Sequence, residues 1–505
     1  MSKGHSTLYS VALCAAWLLS AAAAMARPSA KLESRILPPP ATPASAQLPY
    51  IKVPSGRIAL THVRVIDGTG QPAQADRTIV IADGKITSVA PATAPLPPDV
   101  RVLDLSGYTV LPGIVGMHDH LFYIARPDLD AAGKSEPPLM VPEMAFSAPR
   151  LYLANGVTTI RTTGSIEPNT DLNLKQMIDA GKIPGPHMDV TGPYLEGPGS
   201  PFIQMHMLKD ADDARRTVAF WADRGVTSFK AYMYINRAEL KAAIEEAHRR
   251  GLKITGHLCA VTYREAAALG IDDLEHGFFV NTENDPGKTP DSCTKSDGED
   301  TLAAMDPNGA AAKSLIADLV SHHVAVTSTL PVFEQRVAGH APLWPQAMAA
   351  LTPEAREAYL YARNLAFNAP PETRARNATA FQHGLAMERA FVAAGGLLLA
   401  GPDPTGNGGV VPGFGDLREI ELLVEAGFSP EQAVRVATLN GATYLGLQAR
   451  IGSIAPGKDA DLLVVKGDPS RTIADIRNVE FVFKDGVGYD PAALLQSVRG
   501  RYGEY

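Results

Sequence analysis

From Ile58 onward the chain alternates between short β-branched apolar runs and turn signals. Ile58 to Ile66 stops at Asp67-Gly68, and Thr78 to Ile81 is separated from Lys85 to Val89 by Asp83-Gly84. Asp-Gly between two such runs predicts a hairpin. Val100 to Leu105 and Tyr108 to Leu111 extend the set, so this stretch predicts a small all-β unit. Past Pro112-Gly113 the rhythm changes to strand followed by helix. Predicted strands lie in the run Gly113–His120 and at Thr158–Arg161, His187–Val190, Thr227–Ala231, Lys253–His257, Asp273–His276, Ala325–Ser328 and Leu397–Ala400. Between them, Asp210 to Arg224 predicts a helix. Asn236 with Glu239, and Thr262 with Glu265, form capping boxes for two more, which Gly251 and Gly270 close. Eight strand–helix units in series predict an α/β fold of the TIM-like (β/α)8 barrel type. Ser429-Pro430 opens a late helix, and Leu462–Val465 and Val479–Phe483 then return to β before Asp485-Gly486. Each β flank alone has few strands, so the two are expected to pair into one small β-sandwich domain formed from both chain ends.

The expected division is therefore residues 55–111 as the first part of the sandwich, 112–449 as the barrel, and 450–505 as the second part and tail. Residues 278–312 and 334–380 break the rhythm as two insertions; lying over the barrel mouth and decorating the surface are equally open readings. Residues 27–54, with Pro38-Pro39-Pro40, predict an extended linker or wrapping arm and no core element. Before them stands a targeting pattern: Lys3, an apolar stretch from Leu8 to Ala24, and the small-residue site Ala24-Met25-Ala26. The stretch is short for a membrane span, so residues 1–26 are expected to be a cleaved signal peptide, leaving no stable membrane anchor and a periplasmic or secreted protein. Of the three cysteines, Cys14 leaves with that peptide. Cys259 and Cys293 are expected as free thiols, with a single bridge left open. A net charge of -8 without any long basic block argues against nucleic acid as a partner.

Candidate chemistry gathers at the strand ends. In Gly113-Ile114-Val115-Gly116-Met117-His118-Asp119-His120 the two histidines are two positions apart, so on a strand both imidazoles leave one face and can share a metal ion. In a (β/α)8 barrel functional side chains sit at the C-terminal ends of strands. Those ends supply His118 and His120, then Lys230, His257, His276 and Asp403. Four histidines and a carboxylate suit one or two divalent metals. Lys230 admits two readings. Its amine could take up carbon dioxide and become a bridging carbamate, or its stem could pack in the barrel while its head reaches a carboxylate.

Four segments carry a resemblance. Leu111 to His120, Asn155-Gly156-Val157-Thr158-Thr159-Ile160-Arg161, Ile271-Asp272-Asp273-Leu274-Glu275-His276-Gly277 and Gly452 to Leu462 resemble motifs of the amidohydrolase superfamily, in the branch similar to imidazolonepropionase-like proteins and metal-dependent prolidase-type dipeptidases. The resemblance implies that His118 and His120 hold the more buried of two Zn2+ ions, other divalent metals being possible occupants. It further implies that a carbamylated Lys230 bridges both, that His257 and His276 hold the second, and that Asp403 binds the first and handles the proton of the attacking water. Two positions depart from the pattern: Thr162 follows the second-strand arginine, and Pro402 precedes Asp403, putting the aim of that carboxylate in question. A one-metal site of His118, His120, His257 and Asp403 is the alternative, with His276 polarising the carbonyl and Tyr232 donating to the oxyanion.

These readings predict a metal-dependent hydrolase that cuts an amide C–N bond of a small dipeptide-like or N-acyl amino acid substrate. Opening of a cyclic amide or lactone, deamination, or metal binding without turnover are the alternatives. Homo-oligomerisation is left open, and Tyr194, Glu196, His206 and Arg161 are further residues to place near the mouth.

Overall fold

A computed structural model describes residues 30–125, 141–200, 202–296, 298–405 and 409–503. The expected signal peptide, residues 1–26, lies outside the described residues. The arm that follows is more than a linker. It forms a short helix at Ala30–Ile36, and Ile36 and Leu37 are buried against Val115, Met117, Leu399 and Leu445. The expectation of no core element there is corrected. Two apolar residues placed before Pro38-Pro39-Pro40 remove enough surface from water to anchor the segment.

The first flank forms β1 (Ile51–Val53), β2 (Ile58–Val65), β3 (Gln74–Ala82), β4 (Lys85–Pro91), β5 (Arg101–Asp104) and β6 (Tyr108–Pro112). Eight short strands follow: β7 (Ile114–Gly116), β8 (Val157–Arg161), β9 (His187–Asp189), β10 (Ser228–Ala231), β11 (Lys253–Gly256), β12 (Asp273–Glu275), β13 (Ala325–Ser328) and β14 (Leu398–Ala400). The last flank adds β15 (Leu462–Lys466), β16 (Val479–Lys484) and β17 (Val487–Tyr489). The predicted helix at Asp210 to Arg224 is found at Ala211–Arg224, capped by Asp210. The capping boxes of Asn236 with Glu239, Thr262 with Glu265 and Ser429 with Gln432 are all present.

The flanks interleave into one nine-stranded mixed sheet, in the order β1-β17-β16-β15-β6-β2-β3-β4 with β5 beside β2. Its two parts approach each other where the Asp83-Gly84 and Asp485-Gly486 turns meet, Ala460 N–H donating to Gly84 O at 2.8 Å. Ile58, Leu60, Ile79, Leu462, Val464 and Phe483 share the apolar core between them.

The eight central strands are all parallel, in sheets of three (β7-β8-β9) and five (β10 to β14). Hydrogen bonds cross both seams. Between β9 and β10, Thr227 N–H donates to Val190 O at 2.8 Å and Gly192 N–H to Ser228 O at 2.9 Å. Between β14 and β7, Met117 N–H donates to Ala400 O at 2.8 Å and Asp403 N–H to His118 O at 3.1 Å. That second seam requires Gly401, because a Cβ there would stand 2.2 Å from the His118 nitrogen. These strands are short and buried on both faces, yet polar and apolar residues alternate in some of them: Ser228 and Lys230 flank Phe229, and Asp273 and Glu275 flank Leu274.

Cys259 and Cys293 form a disulfide, with Cα atoms 4.8 Å apart, so the expectation of free thiols is corrected. The cause is the first insertion, which doubles back over the end of β11 and is tied down there by Thr282 Oγ1 and Lys288 Nζ donating to Cys259 O. Replacing Cys293 by serine is expected to lower stability by about 2–4 kcal/mol. Thermal denaturation with and without a reductant checks this; the reductant should shift the wild type and leave the variant unmoved. Among the described residues no helix is long and apolar enough to cross a membrane.

Candidate metal centre

The C-terminal ends of the central strands converge on one cavity of about 190 Å3. His120, Lys230, Tyr232, His257, His276 and Asp403 line it, and His118 stands directly behind. His118 and His120 follow β7, Lys230 sits within β10, His257 follows β11, His276 follows β12 and Asp403 follows β14. His276 and Asp403 both take left-handed backbone, with φ of 69° and 57°. Such conformations in non-glycine residues cost roughly 1–3 kcal/mol and persist where surrounding structure holds them.

The geometry is tight. Asp403 Oδ1 is 3.1 Å from His120 Nε2 and 3.5 Å from His118 Nε2, so Pro402 does not turn the carboxylate away. Donor atoms of His118, His276 and Asp403 all lie within 4.8 Å of one another. The His276 ring is 4.6 Å from that of His118 and 4.4 Å from that of His257, and Tyr232 packs edge-on to His257 at 5.0 Å. Lys230 Nζ is 3.1 Å from His118 Nε2.

Glu275, one residue before His276, was not singled out by sequence reasoning. Its Oε2 accepts from His118 Nδ1 at 2.7 Å, both side chains being fully buried. That bond assigns the proton to Nδ1 and leaves the Nε2 lone pair facing Asp403 Oδ1 and Lys230. A lone pair turned toward a carboxylate oxygen in a buried site is repulsive unless a cation lies between them. The donor set therefore fits a divalent metal, and the carboxylate behind the imidazole is the partner that metal-binding histidines generally carry. On the far side, His276 Nδ1 contacts Thr329 Oγ1 at 3.0 Å.

Burial, followed by the charge of Lys230, pushes His118 well below the ordinary imidazole range; burial does the same to His276 and lowers His120. All three are held neutral, as ligands must be. Burial also brings Lys230 down to about 8 against the opposing pull of Glu275 and Asp403, so roughly a tenth of its amine is uncharged at pH 7. Burial would raise Asp403, but His118, His120 and Lys230 keep it well below the usual carboxylate range.

The remaining sequence candidates separate cleanly. Tyr194 lines the cavity. Arg161 lies inside the strand ring, where it donates to Asp273 at 2.7 Å, Glu275 at 2.9 Å and Met117 O at 2.8 Å. Glu196 is buried and accepts from the backbone of Gly197 and Tyr234, while His206 stands at the surface beside Asp213. Thr162 contacts Thr191 between β8 and β9. The cavity walls are apolar and were not foreseen: Phe122, Ile166, Phe202, Phe279 and Phe333, with Glu299 and Arg336 as a paired acid and base. Phe279 and Glu299 belong to the first insertion and Arg336 to the second, so both insertions reach the cavity.

Fold and site together define an α/β protein whose strand ends carry a histidine-rich centre fit for a metal. Residues 395–487 match the amidohydrolase family. An adenine deaminase of Jannaschia sp. (strain CCS1) is 36% identical over 73 residues, 14% of this chain and 12% of that protein, so the chain spans only a small part of such curated relatives. The structure of a "putative prolidase from Bifidobacterium longum" is similar over 88% of this chain and 99% of that one, with TM-score 0.61 and 25% identity. A Xaa-Pro dipeptidase solved with methionine bound in its active site matches over 86% of this chain and all (100%) of its own, with TM-score 0.62 and 20% identity. The family match is confined to residues 395–487, and structures similar over most of the chain include ones named as a prolidase, a Xaa-Pro dipeptidase and an amidohydrolase.

Proposed function

We propose that the chain is a metal-dependent amide hydrolase acting on a dipeptide-like or N-acyl amino acid substrate with an apolar acyl part. The observation that carries this is the convergence of His118, His276 and Asp403 within 4.8 Å at the foot of a cavity walled by phenylalanines. In this reading the eight parallel strands form one closed (β/α)8 barrel, the nine-stranded sheet folds as the attached sandwich, and the units divide near residues 112 and 450. His118, His120, His257, His276, Asp403 and a carbamylated Lys230 would hold two Zn2+ ions. A bound divalent metal supplies a water whose pKa falls from 15.7 to about 7.

The chain's own residues then do the following. The phenylalanine walls exclude bulk water and seat the acyl side chain. Asp403 accepts the proton of the attacking water at Oδ1 while the new C–O bond forms, and returns it to the leaving nitrogen as the C–N bond breaks. Tyr232 lines the cavity beside His257 and donates its hydroxyl proton toward the developing oxyanion. Arg336, at the rim, is placed to meet the substrate carboxylate.

Zinc-grown protein assayed on dipeptides and N-acyl amino acids should release free amino acid, and intact mass should show one added carbon dioxide removed by Lys230→Ala. No release across the panel, or metal at trace levels only, would overturn the reading. Deamination is the second reading, supported by the local match to an adenine deaminase; ammonia release from adenine in the same assay would favour it. Export is part of the proposal: the residue 1–26 pattern supports it, and so does the Cys259–Cys293 bridge, since disulfides persist mainly in oxidising compartments.

A further inference from the structure

A second set of donors meets at the opposite, N-terminal end of the central strands, where the strand ring sits on the nine-stranded sheet. His187 opens β9, Asp461 immediately precedes β15, and Asp485 lies in the turn between β16 and β17. His187 and Asp461 are more than nine-tenths buried, at 3% and 5% exposure. His187 Nε2 is 3.3 Å from Asp485 Oδ1 and 4.0 Å from Asp461 Oδ2, and the three donors lie within 4.8 Å of one another.

Each carboxylate has one oxygen held by the protein and one turned inward. Asp461 Oδ1 accepts from Asp485 N–H at 2.8 Å, and Asp485 Oδ2 faces Lys484 Nζ at 3.4 Å. Asp461 Oδ2 and Asp485 Oδ1, the inward pair, have no hydrogen-bond partner among the described residues. Leaving buried carboxylate oxygens unsatisfied is expensive. A protonated histidine does not resolve this. A charge-assisted bond closes to about 2.7–2.9 Å, shorter than either separation, and the second ring nitrogen, Nδ1, has no acceptor among the described residues. Donors at about 2.0–2.2 Å from one tetrahedral ion stand roughly 3.3–3.6 Å apart; the His187–Asp485 separation of 3.3 Å falls in that range, and the His187–Asp461 separation of 4.0 Å would have to close on binding. Beside the cluster, a polar cavity of about 20 Å3 lined by Gln47, His187, Lys484 and Asp485 has room for the single water that would complete four-coordination.

We infer that His187, Asp461 and Asp485 bind a divalent cation of the zinc class that cross-braces the strand ring to the nine-stranded sheet. The donors come from three separated segments and from both structural units, so the ion would tie them together. The site is far from the cavity mouth along the strands, and it stands or falls independently of the reading given to that mouth.

Zinc counted by elemental analysis tests it in a His118→Ala/His276→Ala background, which removes a ligand of each of the two ions proposed at the candidate catalytic centre. About one zinc per chain is expected to remain. Adding His187→Ala should abolish it and lower the thermal midpoint, while the parent should lose the same stability on chelation. No zinc in the double variant, or zinc unchanged by His187→Ala, overturns the proposal. Should the triple variant not fold, crystals of the wild type measured at the zinc edge decide the matter. An anomalous peak among His187, Asp461 and Asp485 supports it, and a flat map there overturns it.

Discussion

Asp403→Asn is expected to lower kcat for amide cleavage by about 100- to 10,000-fold, the range that a positioned general base supplies. Far-UV circular dichroism should be unchanged. The backbone of Asp403 is fixed independently of its charge: its N–H donates to His118 O at 3.1 Å, and Thr405 N–H donates to Asp403 O at 2.9 Å. Asparagine keeps the shape and the left-handed backbone, which it tolerates better than most residues. What it removes is the anion that sits 3.1 Å from His120 Nε2 and can take a proton. Measuring zinc alongside kcat separates two losses. If metal content holds and kcat collapses, the carboxylate acts on the proton; if both fall together, it acts chiefly as a ligand. A kcat within tenfold of wild type, with metal retained, would remove Asp403 from the chemistry.

Much of this architecture is legible in the order of the residues alone. The central strands are short buried segments set between capped helices, and the boxes at Asn236, Thr262 and Ser429 sit where side-chain spacing requires. The donors at the mouth are legible because each ends such a segment. The walls are not. Phe122, Phe279 and Phe333 leave irregular segments or short helices, where no period marks which way a side chain turns. The disulfide is hidden for a similar reason, since its halves are 34 positions apart, one after β11 and the other in the first insertion, and only the path of the loop brings them together. Glu275 is a different case. Asp273 and Glu275 flank Leu274 on a buried strand and so point the same way, into the strand ring. Two carboxylates on an interior face call for a cation, and Arg161, ending another buried strand, is the residue that supplies it.

That pairing carries the largest expected change in stability. Arg161→Met is predicted to destabilise the protein by about 3–5 kcal/mol, the range seen when one partner of a buried ion pair is removed and the other is left uncompensated. Arg161 is 1% exposed, and its Nη2 holds Asp273 and Glu275 at 2.7 and 2.9 Å while its Nε donates to Met117 O. Even with the guanidinium present, burial and then the charge of Glu275 push Asp273 up to about 7. Without it, the two carboxyls face each other in a dry interior. The group that relieves the repulsion by taking a proton would then be Asp273 or Glu275, and the second choice has a functional cost. A protonated Glu275 is a poorer acceptor for His118 Nδ1, which loosens the tautomer that aims Nε2 at Asp403. Arg161→Met should therefore shift the urea midpoint strongly and also weaken zinc retention at the mouth, although Arg161 touches no donor there. Asp273→Asn, which keeps Arg161 paired with Glu275, should lower the midpoint less and leave zinc in place. Equal losses of zinc in the two variants, or a midpoint unmoved by Arg161→Met, would break the link drawn between the interior ion network and the metal centre.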